Sequence, residues 1–425
     1  MSAPRRDVGP FDATLITVGA MIGSGIFQTP ADVARRAGST PRALAVWAVG
    51  ALLSLLGALT LAEPGAAIPG TGGLYLYLRR AIGARVAFLF GWAMLAVLVP
   101  SSVAFFAGVT ARHLAPVTGL SERAWSLAVI VLVAALNASG VRRAARAQSA
   151  TALAKFVGLT IAALASFTHG TPSAAPSVAP PTSALLGAVV PVLWAYDGWI
   201  DVTSIAGEVR APERNIPRAL VFGTLSVGVI YLVVVAGYHH ALGTAALAAS
   251  RAPGNALGER LAGAFGLRAM AALVTASAFG GCVIGMLTGT RVIAAMALDD
   301  GVAPRLAELG PRATPDRVIA LTAALAVAYA CSSYAARLAE VFVVGAWPFY
   351  ALGALATIRL RRLEPSLVRP YRVPGYPLTA WAFFASTVAM LASFAVDDPK
   401  LVTISFALIA AGAPARLVAR RITRG

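Results

Sequence analysis

The stretch Gly19-Ala20-Met21-Ile22-Gly23-Ser24-Gly25-Ile26-Phe27 interrupts the first long apolar segment of this 425-residue chain. Three glycines and a serine within seven residues weaken a helix whose flanks are apolar enough to enter a membrane. Unwound backbone survives in a membrane only against protein or a water-filled cavity, because lipid cannot satisfy its N–H and C=O groups. The stretch therefore indicates either a binding site or close helix packing through small residues.

The composition is that of a polytopic membrane protein. Hydrophobic residues make up 58% of the chain and charged residues only 12%, far from the usual balance of soluble proteins. Apolar runs of membrane-spanning length recur along the whole sequence and predict an all-α protein with about twelve transmembrane helices. The predicted spans are 12–36, 42–66, 86–112, 124–140, 149–168, 184–209, 219–241, 266–298, 317–333, 339–361, 377–396 and 400–419.

The basic residues predict the orientation of these spans. The net charge is +17, and most of the 35 Lys and Arg residues fall in loops that face the cytoplasm if the N-terminus is inside. Both termini are therefore predicted to be cytoplasmic. This distribution indicates membrane topology and contact with anionic lipid, and it argues against a nucleic-acid partner. The two cysteines and four histidines show no metal-ligand spacing, so no metal or other cofactor is expected.

An uncharged stretch rich in Pro, Ser and Ala follows the fifth predicted span and divides the chain. Five spans precede it and the repeat after it also has five, so the second repeat must insert upside down relative to the first, which is the condition for an inverted repeat. The predicted units are a cytoplasmic N-terminus (1–11), a first five-helix repeat (12–168), an external linker (169–183), a second, inverted five-helix repeat (184–361), and two peripheral helices with a cytoplasmic tail (362–425).

The opening span of the second half carries a matching interruption, Trp194-Ala195-Tyr196-Asp197-Gly198-Trp199. Asp197 near the middle of a span is unfavourable unless it faces water or a partner, and Gly198 offers a helix break. A kinked helix with a buried structural aspartate is the alternative. Free N–H groups at a half-helix N-terminus attract a carboxylate, and free carbonyls at a C-terminus attract an ammonium. Paired breaks therefore favour a transporter of amino acid zwitterions.

Four separated motifs, at 19–27, 62–75, 196–218 and 369–377, resemble those of amino acid permeases of the APC superfamily. The similarity is greatest to the L-type amino acid transporter family, and the Ala-Tyr-Asp-Gly-Trp stretch resembles bacterial serine/threonine exchangers within it. The resemblance implies the LeuT-like fold, with a five-plus-five inverted repeat and discontinuous first and sixth helices. It also implies a transporter, not an enzyme.

The resemblance further implies a substrate site at the two breaks. The N–H groups of Ser24 and Gly25 would bind the substrate carboxylate, and the carbonyls of Met21, Trp194 and Ala195 would receive its ammonium. The complete set of implied substrate-binding residues is Met21, Ile22, Gly23, Ser24, Gly25, Trp194, Ala195 and Asp197.

The resemblance also assigns roles to Trp194 as a gate and to Lys155 and Ser277 at the vacant sodium site. Trp194 falls where the family has an aromatic gate on the outer side of the substrate. Lys155 matches a lysine of the fifth span that, in sodium-independent members, lies near the vacant sodium site beside the first span and Ser277. Many relatives have Asn-Gly where this chain has Val283-Ile284, so the resemblance leaves the polarity of the eighth-span wall open.

The charged residues around the second break allow more than one interpretation. Asp201 would share a helical face with Asp197 if the helix resumed immediately after the break. Glu208 is predicted to form a solvated cytoplasmic cluster, with an inner gate as the alternative, together with Arg210, Glu213 and Arg214.

These observations predict sodium-independent exchange of small neutral L-amino acids, such as serine, threonine or alanine, across a bacterial plasma membrane by alternating access. Proton-coupled uptake, with Lys155 or Asp197 titrating, is the alternative mechanism. A receptor-like sensor and a membrane-embedded enzyme are rival classes, but no metal cluster, activated nucleophile or close pair of catalytic carboxylates supports an enzyme. The expected partners are an amino acid and the lipid bilayer, and a monomer is expected by analogy with other permeases of this fold.

Overall fold

The computed structural model describes residues 6–169, 183–299, 303–332 and 337–424, and these residues are almost entirely helical. Most of the predicted external linker, residues 170–182, lies outside these ranges, as do residues 1–5 of the predicted N-terminal segment. The strand pairing in the described part is limited to two isolated bridges, between Val8 and Val209 and between Thr71 and Ile205.

The first half of the chain begins with a bent pair of helices. In chain order its helices are α1 (Pro10–Met21), α2 (Gly25–Ala37), α3 (Thr40–Ala67), α4 (Leu74–Ala81), α5 (Ala84–Ala93), α6 (Val99–Thr118), α7 (Glu122–Ala138) and α8 (Val141–His169). A π-helical turn, Met94–Leu98, joins α5 to α6 in one continuous segment. The chain bends by 43° between α1 and α2, at the glycines of the first break.

The second half begins with a helix that stops at the second break. Its helices are α9 (Ser183–Ala195), α10 (Pro212–Leu242), α11 (Thr244–Ala249), α12 (Pro253–Asp299), α13 (Asp316–Ala330), α14 (Leu338–Leu363), α15 (Leu378–Asp397), α16 (Pro399–Ala410) and α17 (Gly412–Arg424). Short 3-10 turns at Trp199–Ser204 and Ala206–Glu208 follow α9, and another, Pro304–Ala307, follows α12. The chain therefore continues after Asp197 as a 3-10 turn and not as an α-helix.

Each of the twelve predicted spans contains a described helix. Eight described segments are long and apolar enough to cross a membrane, and α1 with α2 would make a ninth. The other three predicted spans are shorter, because α7 has 17 residues, α13 has 15, and α9 has 13 before the second break. Large apolar side chains such as Leu52, Ile161 and Val229 are exposed on α3, α8 and α10, as contact with lipid requires.

The two broken segments lie at the centre of the helical assembly. α1 packs against α8 and α10, α2 packs against α9, and α12 lies across α1, α6 and α8. The α12 helix is itself bent at Ala262 and Gly263, where Gly263 has a φ of 55°. The residues after this bend form the predicted eighth span and face the first break.

Backbone pairing closes the end of the molecule that carries the N-terminus. The N–H of Val8 donates to the carbonyl of Glu208 at 3.0 Å, and the N–H of Arg210 donates to the carbonyl of Val8 at 2.9 Å. The N–H of Gly72 donates to the carbonyl of Ser204 at 2.9 Å. These contacts cover the 3-10 turns that follow the second break.

The prediction of a solvated cluster around Glu208 is wrong. Glu208 is 7% exposed, because the 3-10 turns tuck it beneath the N-terminal segment. Its carboxylate pairs instead with Arg291 of α12, which is also buried, at 3.3 Å between Oε1 and Nε. The sequence does not predict this pairing, since the two residues lie 83 positions apart.

Candidate functional site

The two broken segments touch at their interruptions. Gly198 has a φ of 104°, and a Cβ added there would lie 2.7 Å from the carbonyl carbon and oxygen of Ala20. A Cβ added at Gly25 would lie 2.8 Å from both Cα and Cβ of Ala195. Only glycine permits these approaches, because any side chain would push one backbone segment away from the other.

Lys155 reaches the first break from α8. Its side chain is completely buried, and its Nζ donates to the carbonyl oxygen of Gly19 at 3.0 Å. Gly19 lies in the last turn of α1, where carbonyl groups lose their intrahelical partners. The ammonium therefore binds the free end of a half-helix, where the negative end of the helix dipole also favours a cation.

Two hydroxyl groups hold the carbonyls of the unwound residues. Tyr231 of α10 donates to the carbonyl of Met21 at 3.0 Å. The Oγ of Ser277, on α12, lies 3.0 Å from the carbonyl oxygen of Ile22 and 3.1 Å from that of Gly23. The N–H of Gly23 also donates to the Met21 carbonyl at 2.8 Å. The carbonyls from Met21 to Gly23 are thus engaged by the protein itself.

The N–H groups of the first break show the opposite pattern. The N–H groups of Ser24 and Gly25, at the start of α2, have no hydrogen-bond partner among the described residues. The Ser24 hydroxyl oxygen is buried and also lacks a partner in the described part of the chain. Buried polar groups are rarely left unpaired, so these three donors point to a ligand that supplies an acceptor. The N-terminus of a helix favours an anion at this position.

The second break carries a charge and is held from α14. The hydroxyl of Tyr350 donates to Oδ1 of Asp197 at 3.0 Å. The backbone turns sharply, since the N–H of Asp197 donates to the carbonyl of Trp194 at 3.1 Å and that of Asp201 to the carbonyl of Gly198 at 3.1 Å. The Trp194 carbonyl is therefore used within the turn.

A cavity lies between the two breaks and is bounded on the other sides by α6, α12 and α14. Asp197 and Asp201 both line it, and no Lys, Arg or His is among the described residues of its wall. Ile22 is the one residue of the implied substrate-binding set that does not line it; those that do are Met21, Gly23, Ser24, Gly25, Trp194, Ala195 and Asp197. Lys155 and Ser277 lie behind the first break, outside this wall.

The Trp194 ring lies among three phenylalanines beside the cavity. Its centroid is 5.8 Å from that of Phe105 and 5.5 Å from that of Phe342, both in edge-to-face geometry, and 6.4 Å from the stacked ring of Phe106. Trp194 precedes the second break, on the side of the cavity nearer the start of α9. The aromatic group therefore covers the face of the cavity that the predicted topology makes the outer one.

Sequence patterns alone do not identify several residues of the site. Tyr231 and Tyr350 receive no role from the motifs, although a tyrosine within an apolar span needs a partner for its hydroxyl, which is the signal that could find them. Phe106 and Phe342 carry no such signal, because phenylalanine is ordinary in any membrane helix. Asp201 stands out in the sequence only as a neighbour of Asp197.

Comparison with known proteins gives the site a family context. The sequence model of a family described as "Amino acid permease" matches residues 8–413. The chain is 29% identical to the serine/threonine exchanger SteT of Bacillus subtilis (strain 168), over 96% of each protein. It is 29% identical to the b(0,+)-type amino acid transporter 1 of Mus musculus, over 87% of this chain and 79% of the relative. It is 28% identical to the Asc-type amino acid transporter 1 of Homo sapiens, over 97% of this chain and 82% of the relative.

Proposed function

The chain belongs to the amino acid permease family, and we propose that it exchanges small neutral L-amino acids, such as serine, threonine or alanine, across the plasma membrane of a bacterium without sodium. The family predicted from the four motifs is confirmed, and with it the all-α, LeuT-like membrane fold. The protein is an amino acid transporter embedded in a membrane and not an enzyme.

The free N–H groups of Ser24 and Gly25 are the observation that carries the proposal. Ser24 and Gly25 both line the cavity between the breaks, and the buried Ser24 hydroxyl also lacks a partner among the described residues, so these groups would bind the α-carboxylate of a substrate. The α-ammonium would face the carbonyl ends of α1 and α9, at Ala20 and Ala195, which line the same cavity. A ligand that carries both charges on one carbon fits this arrangement better than a simple amine or acid.

Lys155 supports the absence of sodium coupling. Its ammonium is fixed on the Gly19 carbonyl, one helix turn before the carbonyls that Ser277 holds. A cation that binds at this place would have to displace a buried ammonium or lie beside it, and either arrangement is unfavourable. Lys155 would therefore lie beside the first break, near the place where the resemblance puts the vacant sodium site.

Exchange and substrate size rest on the relatives and on the aromatic wall. SteT, similar over 96% of both chains, is named a serine/threonine exchanger. Trp194, Phe106 and Phe342 leave little width around the breaks, which favours short side chains. In alternating access Trp194 would act as the outer gate and the buried Glu208–Arg291 pair would lie at the inner end. We place both termini in the cytoplasm and expect the transporter to work as a monomer, built from the repeats 12–168 and 184–361.

Counterflow in liposomes tests this function. Purified protein is reconstituted with internal serine, and uptake of labelled serine is followed with sodium or choline outside and with or without a pH gradient. We expect uptake to require internal amino acid and to be equal in sodium and choline. Uptake into empty liposomes driven by an inward proton gradient would instead establish the proton-coupled alternative. Strict dependence on sodium would overturn the proposal.

A further inference from the structure

A second cavity adjoins the first along the 3-10 turn that follows the second break. It is bordered by residues such as Leu74 of α4, Thr288 of α12 and Tyr350 of α14. Four residues line both cavities and form what we call the junction, which consists of Ser102, Asp201, Gly285 and Phe342. The junction is therefore the place where a ligand bound at the breaks would extend its far end.

We infer that Asp201 is the residue that selects the substrate by its side chain, by accepting a hydrogen bond from a hydroxyl group. This inference rests on the proposed function and names the substrate class as amino acids with a short hydroxylated side chain. The α-carboxylate and α-ammonium would be held at the breaks, and the side chain would point into the junction.

Asp201 is better placed for this role than Asp197, because Asp201 lines both cavities whereas Asp197 lines only the first. The Asp197 carboxylate accepts the Tyr350 hydroxyl at 3.0 Å, which holds it at the second break. The Thr288 hydroxyl lies within hydrogen-bond reach of Asp201, but its single proton can also go to the carbonyl of Ile284, which lies at 2.9 Å. A carboxylate offers about four acceptor positions, so Asp201 retains acceptor capacity toward the cavity even when Thr288 donates to it.

The rest of the wall leaves the ligand to supply a donor to Asp201. No Lys, Arg or His occurs among the described residues that line either cavity, so the protein itself offers Asp201 no cationic partner there. The buried, unpartnered hydroxyl of Ser24 lies in the wall of the first cavity, which independently indicates a polar ligand. A carboxylate in such a wall is stabilised when the ligand brings a donor to it.

Gly285 sets the width of the junction. A Cβ added there would lie 3.5 Å from the hydroxyl oxygen of Ser102, an ordinary van der Waals contact, so alanine would fit and would narrow the gap between α12 and α6. Phe342 covers the junction from α14.

Isosteric amino acids give the sharpest test. Threonine and valine have nearly the same shape, as do serine and 2-aminobutyrate, and each pair differs by a hydroxyl group in place of a methyl. A site built to bond a hydroxyl rejects the analogue without it, because a buried polar group is then left unpaired. We expect threonine to inhibit serine exchange by the reconstituted wild-type protein at least about tenfold more effectively than valine does.

Three variants isolate the contribution of the Asp201 carboxylate. Asp201→Leu removes the acceptor, so threonine and valine should inhibit serine exchange about equally and the threonine-to-valine ratio of inhibition should be close to one. Asp201→Asn keeps an acceptor oxygen and should keep a ratio well above that of Asp201→Leu. Asp299→Asn, at the exposed end of α12, where Asp299 pairs with Arg79, is the matched control and should keep the wild-type ratio.

The inference is overturned if Asp201→Leu exchanges serine with the wild-type ratio, or if Asp201→Asn loses the preference as completely as Asp201→Leu. Should Asp201→Leu fail to insert, Gly285→Ala tests the same junction, because a narrower junction should weaken the binding of threonine at least about threefold more than that of serine. If Gly285→Ala leaves the relative affinity for threonine and serine unchanged, the side chain of the substrate does not lie in the junction. A wild-type protein that exchanges no amino acid would refute the proposed function itself, which is a separate result.

Discussion

The two helix breaks meet in one site but are built in opposite ways. The first break has no charge of its own, and side chains from α8, α10 and α12 hold its carbonyl groups. The second break carries Asp197, and a single described side chain, that of Tyr350, binds its carboxylate. The first break is thus a fixed platform whose free groups are N–H donors, whereas the second is an arm that brings a charge and an aromatic ring to the cavity.

This difference suggests a division of labour. A platform held by three neighbouring helices can present the N–H groups of Ser24 and Gly25 in one geometry, as recognition of a carboxylate requires. An arm held by fewer side-chain hydrogen bonds can move at lower cost when the outer gate opens. Variants at each break can therefore distinguish a loss of binding geometry from a loss of motion.

Removing the close contact between the two breaks should be the most damaging change. In Gly25→Ala the new Cβ would lie 2.8 Å from the Cα of Ala195, so one backbone segment must shift. We expect serine exchange to fall by about 100-fold, because a backbone shift of about 1 Å is enough to disrupt the geometry of a binding site. Gly108→Ala on α6 is the matched control, since a Cβ there meets nothing within 4 Å. Equal activity of the two variants would show that the breaks do not act together.

Lys155→Ala tests the platform itself. The variant leaves the Gly19 carbonyl without the donor that it has at 3.0 Å, and an unpaired buried carbonyl is destabilising. We expect the protein to insert but exchange to fall by at least about tenfold, with no gain of sodium dependence. Lys155→Gln, which keeps a donor, should restore part of the activity. Lys400→Ala, on the exposed lysine at the start of α16, is the control.

Exchange stimulated by sodium in Lys155→Ala would be informative in a different way. It would show that the place which the Lys155 ammonium occupies in the wild-type protein can bind a sodium ion once the lysine is removed. Full activity of Lys155→Ala would contradict the platform role.

Trp194→Ala tests the arm. The ring packs against Phe105, Phe106 and Phe342 and can cover a bound substrate at low conformational-entropy cost. We expect exchange to fall by about tenfold, with turnover reduced at least as much as affinity, and Trp194→Phe to retain a substantial part. Trp381→Ala, on an exposed tryptophan of α15, is the control.

Tryptophan fluorescence gives an independent measurement of the gate. A change in fluorescence on addition of serine to the wild-type protein should disappear in Trp194→Phe. Wild-type exchange by Trp194→Ala would assign the ring to packing alone.

The sequence was sufficient to locate both breaks, because clustered glycines and an aspartate within apolar segments are rarely compatible with an unbroken membrane helix. Through the resemblance to a family, the sequence also predicted that Lys155 lies near the first break. It could not predict ion pairs and hydrogen bonds that depend on which helix faces pack together. Glu208 and Arg291 are 83 residues apart in the sequence. Only the 3-10 turns after the second break bring Glu208 into a buried position beside Arg291. Local charge density around Glu208 favoured the wrong, solvated cluster.

The two tyrosines should give the mildest losses, and they compare the breaks most directly. Tyr231 donates to Met21 at the first break, and Tyr350 donates to Asp197 at the second. The Met21 carbonyl keeps the N–H of Gly23 when Tyr231 is replaced, so Tyr231→Phe should lower exchange only about twofold. Asp197 keeps the backbone N–H of Gly198 as a donor, but hydrogen bonds to charged groups are the stronger ones, so Tyr350→Phe should lower exchange about fivefold. Initial rates of serine counterflow at equal protein density decide the order. If Tyr231→Phe lowers exchange more than Tyr350→Phe does, the first break requires each of the side-chain hydrogen bonds to its carbonyl groups, and the remaining bonds do not compensate for the loss of one.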